Sequence, residues 1–284
     1  MERVQLPLWN LKSKGANSMI KERIKLYDTS EHPYVDAYIL DAITSPETDK
    51  CRGAVIITPG GGYKYTTDRE GEPVAMKFAA AGYHTFVLHY RVMPEKVTDP
   101  LEDLARTIVM LRKNSKEWRI DKDNISICGF SAGGHLAASL GVYWNHEFLS
   151  ELVGVENDLL KPNRLILGYP ALSMKVPKSK FLVERLANGD ESFADFLSVD
   201  KHVSSDTPPV FMWHTANDDT APVQNSHIFA LSLSEFEIPY EMHVFPYGPH
   251  GQSVVEDHVY THMPNIYSPD CAQWVELALK WMKK

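Results

Sequence analysis

The chain has no run of roughly eighteen consecutive apolar residues, so nothing in it reads as a membrane-spanning helix. Its start, Met1-Glu2-Arg3-Val4, leads into polar sequence without an apolar core or a small-residue cleavage site. A cytoplasmic location and no membrane partner are therefore expected. Cysteine is scarce. Cys51, Cys128 and Cys271 show neither paired nor C-x-x-C spacing, which excludes a disulfide framework and a thiolate metal site. Clustered positive charge is also missing: 29 Lys and Arg are scattered against 37 Asp and Glu, a formal net charge of −8. A phosphate backbone needs a basic stripe, so nucleic acid is not expected as a partner. Internal repeats and low-complexity segments are absent as well. Asn124-Ile125-Ser126 fits a glycosylation sequon but opens a run read as a buried strand, where a glycan has no room.

What remains is an ordinary globular composition, 44% hydrophobic and 23% charged over 284 residues, enough for one large α/β domain. Residues 1–20 carry little periodicity and read as an arm on the surface or at a partner. A second copy of the chain stays open as that partner. Ile20–Tyr27 and Tyr34–Leu40 alternate polar and apolar residues, as an antiparallel edge hairpin does. Continuous apolar runs follow at 53–58, 85–90, 125–128, 165–169 and 209–214, expected of strands covered on both faces. Between them lie helical patterns at Pro73–Ala81, Pro100–Trp118 and Pro222–Phe236. Asp121-Lys122-Asp123-Asn124 reads as a turn, Tyr240–Phe245 as the last strand, and Ser268-Pro269 as the start of a final helix. Strands alternating with helices imply a mostly parallel central sheet with helices on both faces. Residues 171–206 are charged, Ser-rich and too long for a simple connection, and read as a cap-like insertion with short helices.

The informative stretch is Ile125-Ser126-Ile127-Cys128-Gly129-Phe130-Ser131-Ala132-Gly133-Gly134. It is a strand, a sharp turn and a helix start in G-x-S-x-G form. Glycines let the chain reverse where side chains would collide, leaving the Ser131 hydroxyl exposed as a nucleophile. A serine hydroxyl is a weak nucleophile until an imidazole takes its proton, and the imidazole needs a carboxylate to fix its tautomer. Asp218 and Asp219, in the polar turn after a buried strand, both suit the acid. His250 suits the base, because its Gly- and Pro-rich loop directly follows the last strand. The competing histidines read differently. His84, His89, His214 and His243 lie in strand patterns, His135 reads as a structural partner of a loop, and His258 and His262 read as a solvated pair without a third metal ligand. Backbone amides of the glycines in Pro59-Gly60-Gly61-Gly62-Tyr63, and of Ala132, suit the oxyanion that acyl transfer generates. No phosphate-loop or dinucleotide pattern surrounds these glycines.

Together Pro59-Gly60-Gly61-Gly62-Tyr63, His89-Tyr90-Arg91, Gly129 to Ala137, the Asp218 loop ending in Ala221-Pro222, and Gly248-Pro249-His250-Gly251 resemble the α/β-hydrolase superfamily, specifically esterases similar to acetylxylan esterases and feruloyl- or acetyl-esterase-like proteins. The resemblance implies a serine carboxylic-ester hydrolase acting on short-acyl esters, with acetylated carbohydrates among them, and without a metal or organic cofactor. It selects Asp218 as the acid and Gly61, Gly62 and Ala132 as the oxyanion amides. It places Tyr63 and the 171–206 insertion at the mouth above Ser131, with Tyr63 as a substrate-binding side chain. Pro59, where many relatives have histidine, and Ala221, where valine is usual, depart from the pattern. A peptidase similar to prolyl-oligopeptidase catalytic domains, and a noncatalytic binder on the same scaffold, are the alternatives.

Overall fold

The structure, a computed structural model, describes residues 19–41, 51–256, 259 and 268–284. Most of the 1–20 arm and the His258/His262 pair lie outside these residues. The sequence alternation becomes one eight-stranded sheet in the order β1-β2-β4-β3-β5-β6-β7-β8. β1 (Ile20–Lys25) and β2 (Tyr34–Ile39) form the expected antiparallel hairpin at one edge, with Ile24 opposite Val35. From β4 (His84–His89) onward the strands run parallel: β3 (Arg52–Thr58), β5 (Ile120–Phe130), β6 (Arg164–Gly168), β7 (Val210–Thr215) and β8 (Tyr240–Phe245).

Alternate residues of the buried strands feed two cores. Ile56, Ile127, Leu165, Leu167 and Met212 face one side, packed with Leu104 and Ile108 of α2 (Asp99–Lys113), Leu136 and Leu140 of α4 (Ala132–Tyr143) and Phe229 of α8 (Gln224–Glu235). Val55, Ile57, Cys128, Ile166, Phe211 and Trp213 face the other, against Val74 and Phe78 of α1 (Glu72–Ala80) and Trp274 and Trp281 of α9 (Trp274–Trp281). Two covered faces explain why these strands read as unbroken apolar runs rather than as alternation.

Two expectations are corrected. The helix read over Pro100–Trp118 breaks at Asn114, whose side chain donates to the Met110 carbonyl at 2.8 Å; Ser115–Trp118 continues as α3, closed by Arg119 in the left-handed region. The turn expected at 121–124 lies inside β5. There β3 advances from Arg52 to Ala54 while β5 advances from Ile120 to Ile125, so the polar residues bulge out of the ladder, with Asp121 capping the Asp123 amide at 3.1 Å. A bulge accepts turn-forming residues without ending the strand. After α5 (Glu147–Val153), the insertion does contain short helices, α6 (Phe181–Leu186) and α7 (Ala194–Leu197), seated on buried Leu182, Val183, Leu186 and Leu197.

Trp274 ties the C-terminal helix to the centre of the sheet. Its indole stacks on Trp213 at 5.3 Å, meets Phe130 edge-on at 5.6 Å, and donates to the Ser253 carbonyl at 2.7 Å. Trp274→Ala is expected to lower unfolding free energy by about 3–5 kcal/mol, the usual cost of emptying a buried aromatic site. A denaturant midpoint unchanged within error would show that this contact is dispensable.

Candidate active site

Every group expected to carry chemistry sits at the C-terminal ends of parallel strands. Ser131 follows β5 with φ 52° and ψ −118°, a strained turn for a residue with a side chain. Its amide donates to the Gly168 carbonyl at 3.0 Å, and its carbonyl accepts from the His135 amide at 3.1 Å as α4 starts. The turn closes because two glycines let main chains meet. A Cβ on Gly133 would lie 2.0 Å from the Thr58 carbonyl oxygen, and one on Gly129 would lie 2.3 Å from the Gly133 oxygen. The Thr58 hydroxyl donates to that Gly133 oxygen at 2.9 Å, locking β3 to the start of α4.

His250 reaches Ser131 from the loop after β8: its Nε2 lies 2.7 Å from Ser131 Oγ, and its Nδ1 lies 2.7 Å from Asp218 Oδ2. The other carboxylate oxygen of Asp218 accepts the amides of Thr220 and Ala221, both at 2.9 Å. Asp218 is buried, whereas Asp219 is exposed and, among the described residues, its side chain meets only the Thr220 hydroxyl, at 3.3 Å. Burial alone would raise the Asp218 carboxyl, but the hydrogen bonds and charges of His214 and His250 outweigh it together and hold it well below the usual carboxylate range. Asp218 is thus an anion fixed against the His250 ring. This order of contacts lets the imidazole accept the serine proton while the carboxylate stabilises the resulting imidazolium.

His214 and His135 are packed groups. His214 is fully buried, bonded to Ser226 Oγ at 2.8 Å and to the Ala221 carbonyl at 2.7 Å, and stands 3.5 Å behind Asp218. His135 does partner loops. Its Nδ1 lies 2.9 Å from the Tyr63 hydroxyl, and its Nε2 lies 3.0 Å from the Leu197 carbonyl of the insertion. Since a carbonyl only accepts, His135 carries its proton on Nε2 and accepts from Tyr63.

The glycine loop after β3 is held from three sides. The Tyr90 hydroxyl donates to the Pro59 carbonyl at 2.7 Å, Glu70 Oε2 accepts the Gly60 amide at 2.7 Å, and Arg185 Nη1 donates to the Gly62 carbonyl at 2.7 Å. Gly61 adopts φ +126°, and a Cβ there would stand 2.1 Å from the Tyr65 carbonyl oxygen. Among the described residues, the amides of Gly61, Gly62 and Ala132 meet no protein acceptor, so they are available to an oxyanion. One expectation about this loop is corrected. Tyr63 is 1% exposed with its ring turned into the core, because positive φ and the bond to His135 point it inward. Tyr65, 61% exposed, lines the cleft in its place.

That cleft, about 400 Å³, has Ser131 and His250 on its floor. Phe181 of the insertion lines it, and so do Lys64, Arg69 and Arg185, which carry no signal in the sequence. Glu70 and Tyr169 were missed too. The Glu70 carboxylate joins the Gly60 amide to the Tyr169 hydroxyl, 2.6 Å away, and the Tyr169 ring packs edge-on to His250 at 5.0 Å. Tyr169 stands directly after β6, at the strand end where functional groups collect, a position that could have flagged it. Among the described residues no group of three or more metal-ligating side chains occurs.

Comparison with known proteins gives consistent findings. The BD-FAE family model matches residues 40–233. The chain is 34% identical over 224 residues to endo-1,4-beta-xylanase B of Butyrivibrio fibrisolvens, a match covering 75% of this chain and 34% of that protein. It is 26% identical over 216 residues to an acetylxylan esterase of Xylanibacter ruminicola, covering 72% and 42% respectively. The chain thus spans less than half the length of these two curated relatives. A crystal structure of an acetyl ester-xyloside bifunctional hydrolase from Caldicellulosiruptor lactoaceticus superposes with TM-score 0.74 at 34% identity, covering 94% of this chain and 95% of that one. The fold is that of the α/β-hydrolases. No helix among the described residues is long and apolar enough to cross a membrane.

His135 also sets an acid limit on the fold. Burial lowers it from 6.5 to about 4, and burial lowers His84 to about 4 as well. Both stay neutral in the folded chain and take up protons near 6.5 once unfolded, so the unfolded state binds more protons between these values. Each of the two therefore lowers stability as pH drops from about 6.5 to about 4, taking up close to one proton on unfolding, while the buried Asp103 carboxyl, raised by burial to about 6, opposes them by one; the net expectation is a fall in stability across that window. Denaturant melts across it provide the measurement. Stability that stays level or rises on acidification contradicts the assignment.

Proposed function

The chain belongs to the BD-FAE family, and from that premise we propose that it is a serine carboxylic-ester hydrolase acting on short-acyl esters, acetylated carbohydrates in particular. The observation that carries the reading is the chain of contacts Ser131 Oγ, His250 Nε2, His250 Nδ1, Asp218 Oδ2, with 2.7 Å at each hydrogen bond. The resemblance to an acetylxylan esterase and to an acetyl ester-xyloside hydrolase supports the substrate class.

In this reading Ser131 Oγ attacks the ester carbonyl as its proton passes to His250 Nε2. The oxyanion forms against the amides of Gly61, Gly62 and Ala132, each such donor lowering the barrier by about 3 kcal/mol. The alcohol leaves with the proton from His250, and an acyl group remains on Ser131. Water, deprotonated by His250, then attacks that acyl group, and the carboxylic acid departs as the Ser131 hydroxyl is restored. Asp218 stays an anion throughout. No step calls on a metal or organic cofactor.

The insertion supports the short-acyl part. Its leucines are spent on the core, and of its side chains Phe181 and Arg185 line the cleft. An interfacial lipase needs a broad apolar rim instead.

Three outcomes are expected. Ser131→Ala abolishes hydrolysis of p-nitrophenyl acetate while the circular dichroism spectrum is retained; undiminished turnover would refute the nucleophile. Asp218→Asn lowers kcat by roughly three to four orders of magnitude by favouring the wrong imidazole tautomer, whereas Asp219→Asn has a mild effect. The reverse ranking transfers the acid role to Asp219. Across p-nitrophenyl esters, kcat/KM falls steeply beyond butyrate, and octanoate at or above acetate overturns the short-acyl assignment.

A further inference from the structure

The cleft over Ser131 has an unexpected charge. The chain as a whole is acidic, with a formal net charge of −8, yet Lys64, Arg69 and Arg185 all line this one cleft. They come from three separate segments: the glycine loop, the stretch before α1, and helix α6 of the insertion.

The acidic side chains nearby offset only part of this charge, leaving cations in excess. Among the described residues Glu70 is the one carboxylate lining the cleft, against three cations, and its two oxygens are held from below by the Gly60 amide and the Tyr169 hydroxyl, so they are not free to pair with those cations. Asp218 lies behind His250, fully engaged. Asp68, Glu184 and Asp219, close in sequence to the cationic residues and to Asp218, do not line it.

The cations also have donors to spare. Among the described residues the Lys64 ammonium has no acceptor. Arg69 donates from Nη1 to the Gly251 carbonyl at 3.3 Å, and Arg185 from Nη1 to the Gly62 carbonyl at 2.7 Å, each leaving further guanidinium N–H groups unused. Arg185 is steadied by the Phe181 ring, 5.1 Å from its Cζ. Two guanidinium groups, each held by a hydrogen bond to a carbonyl, and one ammonium form the donor set that recognises a carboxylate or a phosphate.

We infer that the alcohol side of this cleft binds an anion, so that the preferred substrate is an acetyl ester of a sugar carrying a carboxylate or phosphate group. The inference rests on the ester-hydrolase reading. An acetyl group has no place for a charge, and the charge must therefore sit on the alcohol. The three cations would then steer and orient that alcohol while the glycine-loop amides receive the oxyanion.

The test compares kcat/KM on four acetylated sugars at low ionic strength: methyl glucoside, methyl glucuronide, the neutral methyl ester of that glucuronide, and a methyl glucoside phosphate. At least one anionic sugar is expected to exceed the neutral ones by roughly tenfold or more, and added salt should shrink the advantage. The larger of the two anionic preferences identifies the group recognised. In the double variant Lys64→Gln and Arg69→Gln the anionic-to-neutral ratio is expected to fall towards one; because it is a ratio on one preparation, partial loss of folded enzyme cancels. Equal kcat/KM for neutral and anionic sugars, or a ratio unmoved by the double variant, overturns the inference and leaves the esterase reading standing. Failure to hydrolyse any of the four or p-nitrophenyl acetate removes that reading and the inference with it.

Discussion

The arrangement depends on one close approach of main chains. The end of β3 and the first turn of α4 pass so near each other that no side chain fits at Gly133, where a Cβ would press to 2.0 Å from the Thr58 oxygen. Gly129 has the same constraint from the other direction, against the Gly133 oxygen. Only at this spacing can the chain reverse through Ser131 with a positive φ and still return to helix. The approach also brings the loop after β3 beside the serine, so the proposed nucleophile and the amides proposed to hold the oxyanion are set by one contact.

Around that contact the supporting groups are buried and reciprocally bonded. Glu70 joins the glycine loop to Tyr169, and Tyr169 backs His250. Tyr63 and His135 join the same loop to α4 and to the insertion at Leu197. Tyr90 fixes the Pro59 carbonyl, which gives the His89-Tyr90-Arg91 stretch a mechanical role; Arg91 in turn pairs with buried Asp103 at 2.7 Å. A positive-φ loop with several unbonded amides is costly by itself. Such a loop persists because its carbonyls and flanking amides are satisfied by side chains packed in the core.

Legibility in the sequence followed from how local each signal was. Strands covered on both faces announce themselves as apolar runs, and the G-x-S-x-G turn carries its own glycines, so the mostly parallel sheet and the exposed turn at Ser131 could be anticipated, whereas the strand order could not. The loop directly after a strand pointed to His250 and to Asp218 or Asp219, and the family resemblance alone chose Asp218 between the two. The residues that were missed act over distance. Glu70 looks like an ordinary acid before a helix, and only the fold places its carboxylate under Gly60. Tyr63 was misplaced because an aromatic beside a glycine loop gives no hint of which way its ring turns; φ and the His135 bond decide that. The bulge in β5 was read as a turn because Asp121 to Asn124 has turn composition, and pairing with β3 overrides that preference.

The central claim is that Ser131 becomes acylated during turnover. Mass spectrometry of the protein quenched during hydrolysis of an activated acetate ester, or after reaction with a fluorophosphonate, tests it directly. The account predicts a single stoichiometric adduct on the peptide containing Ser131, and its absence when Ser131 is replaced by alanine. An active enzyme with no adduct, or with the adduct on another residue, would contradict it.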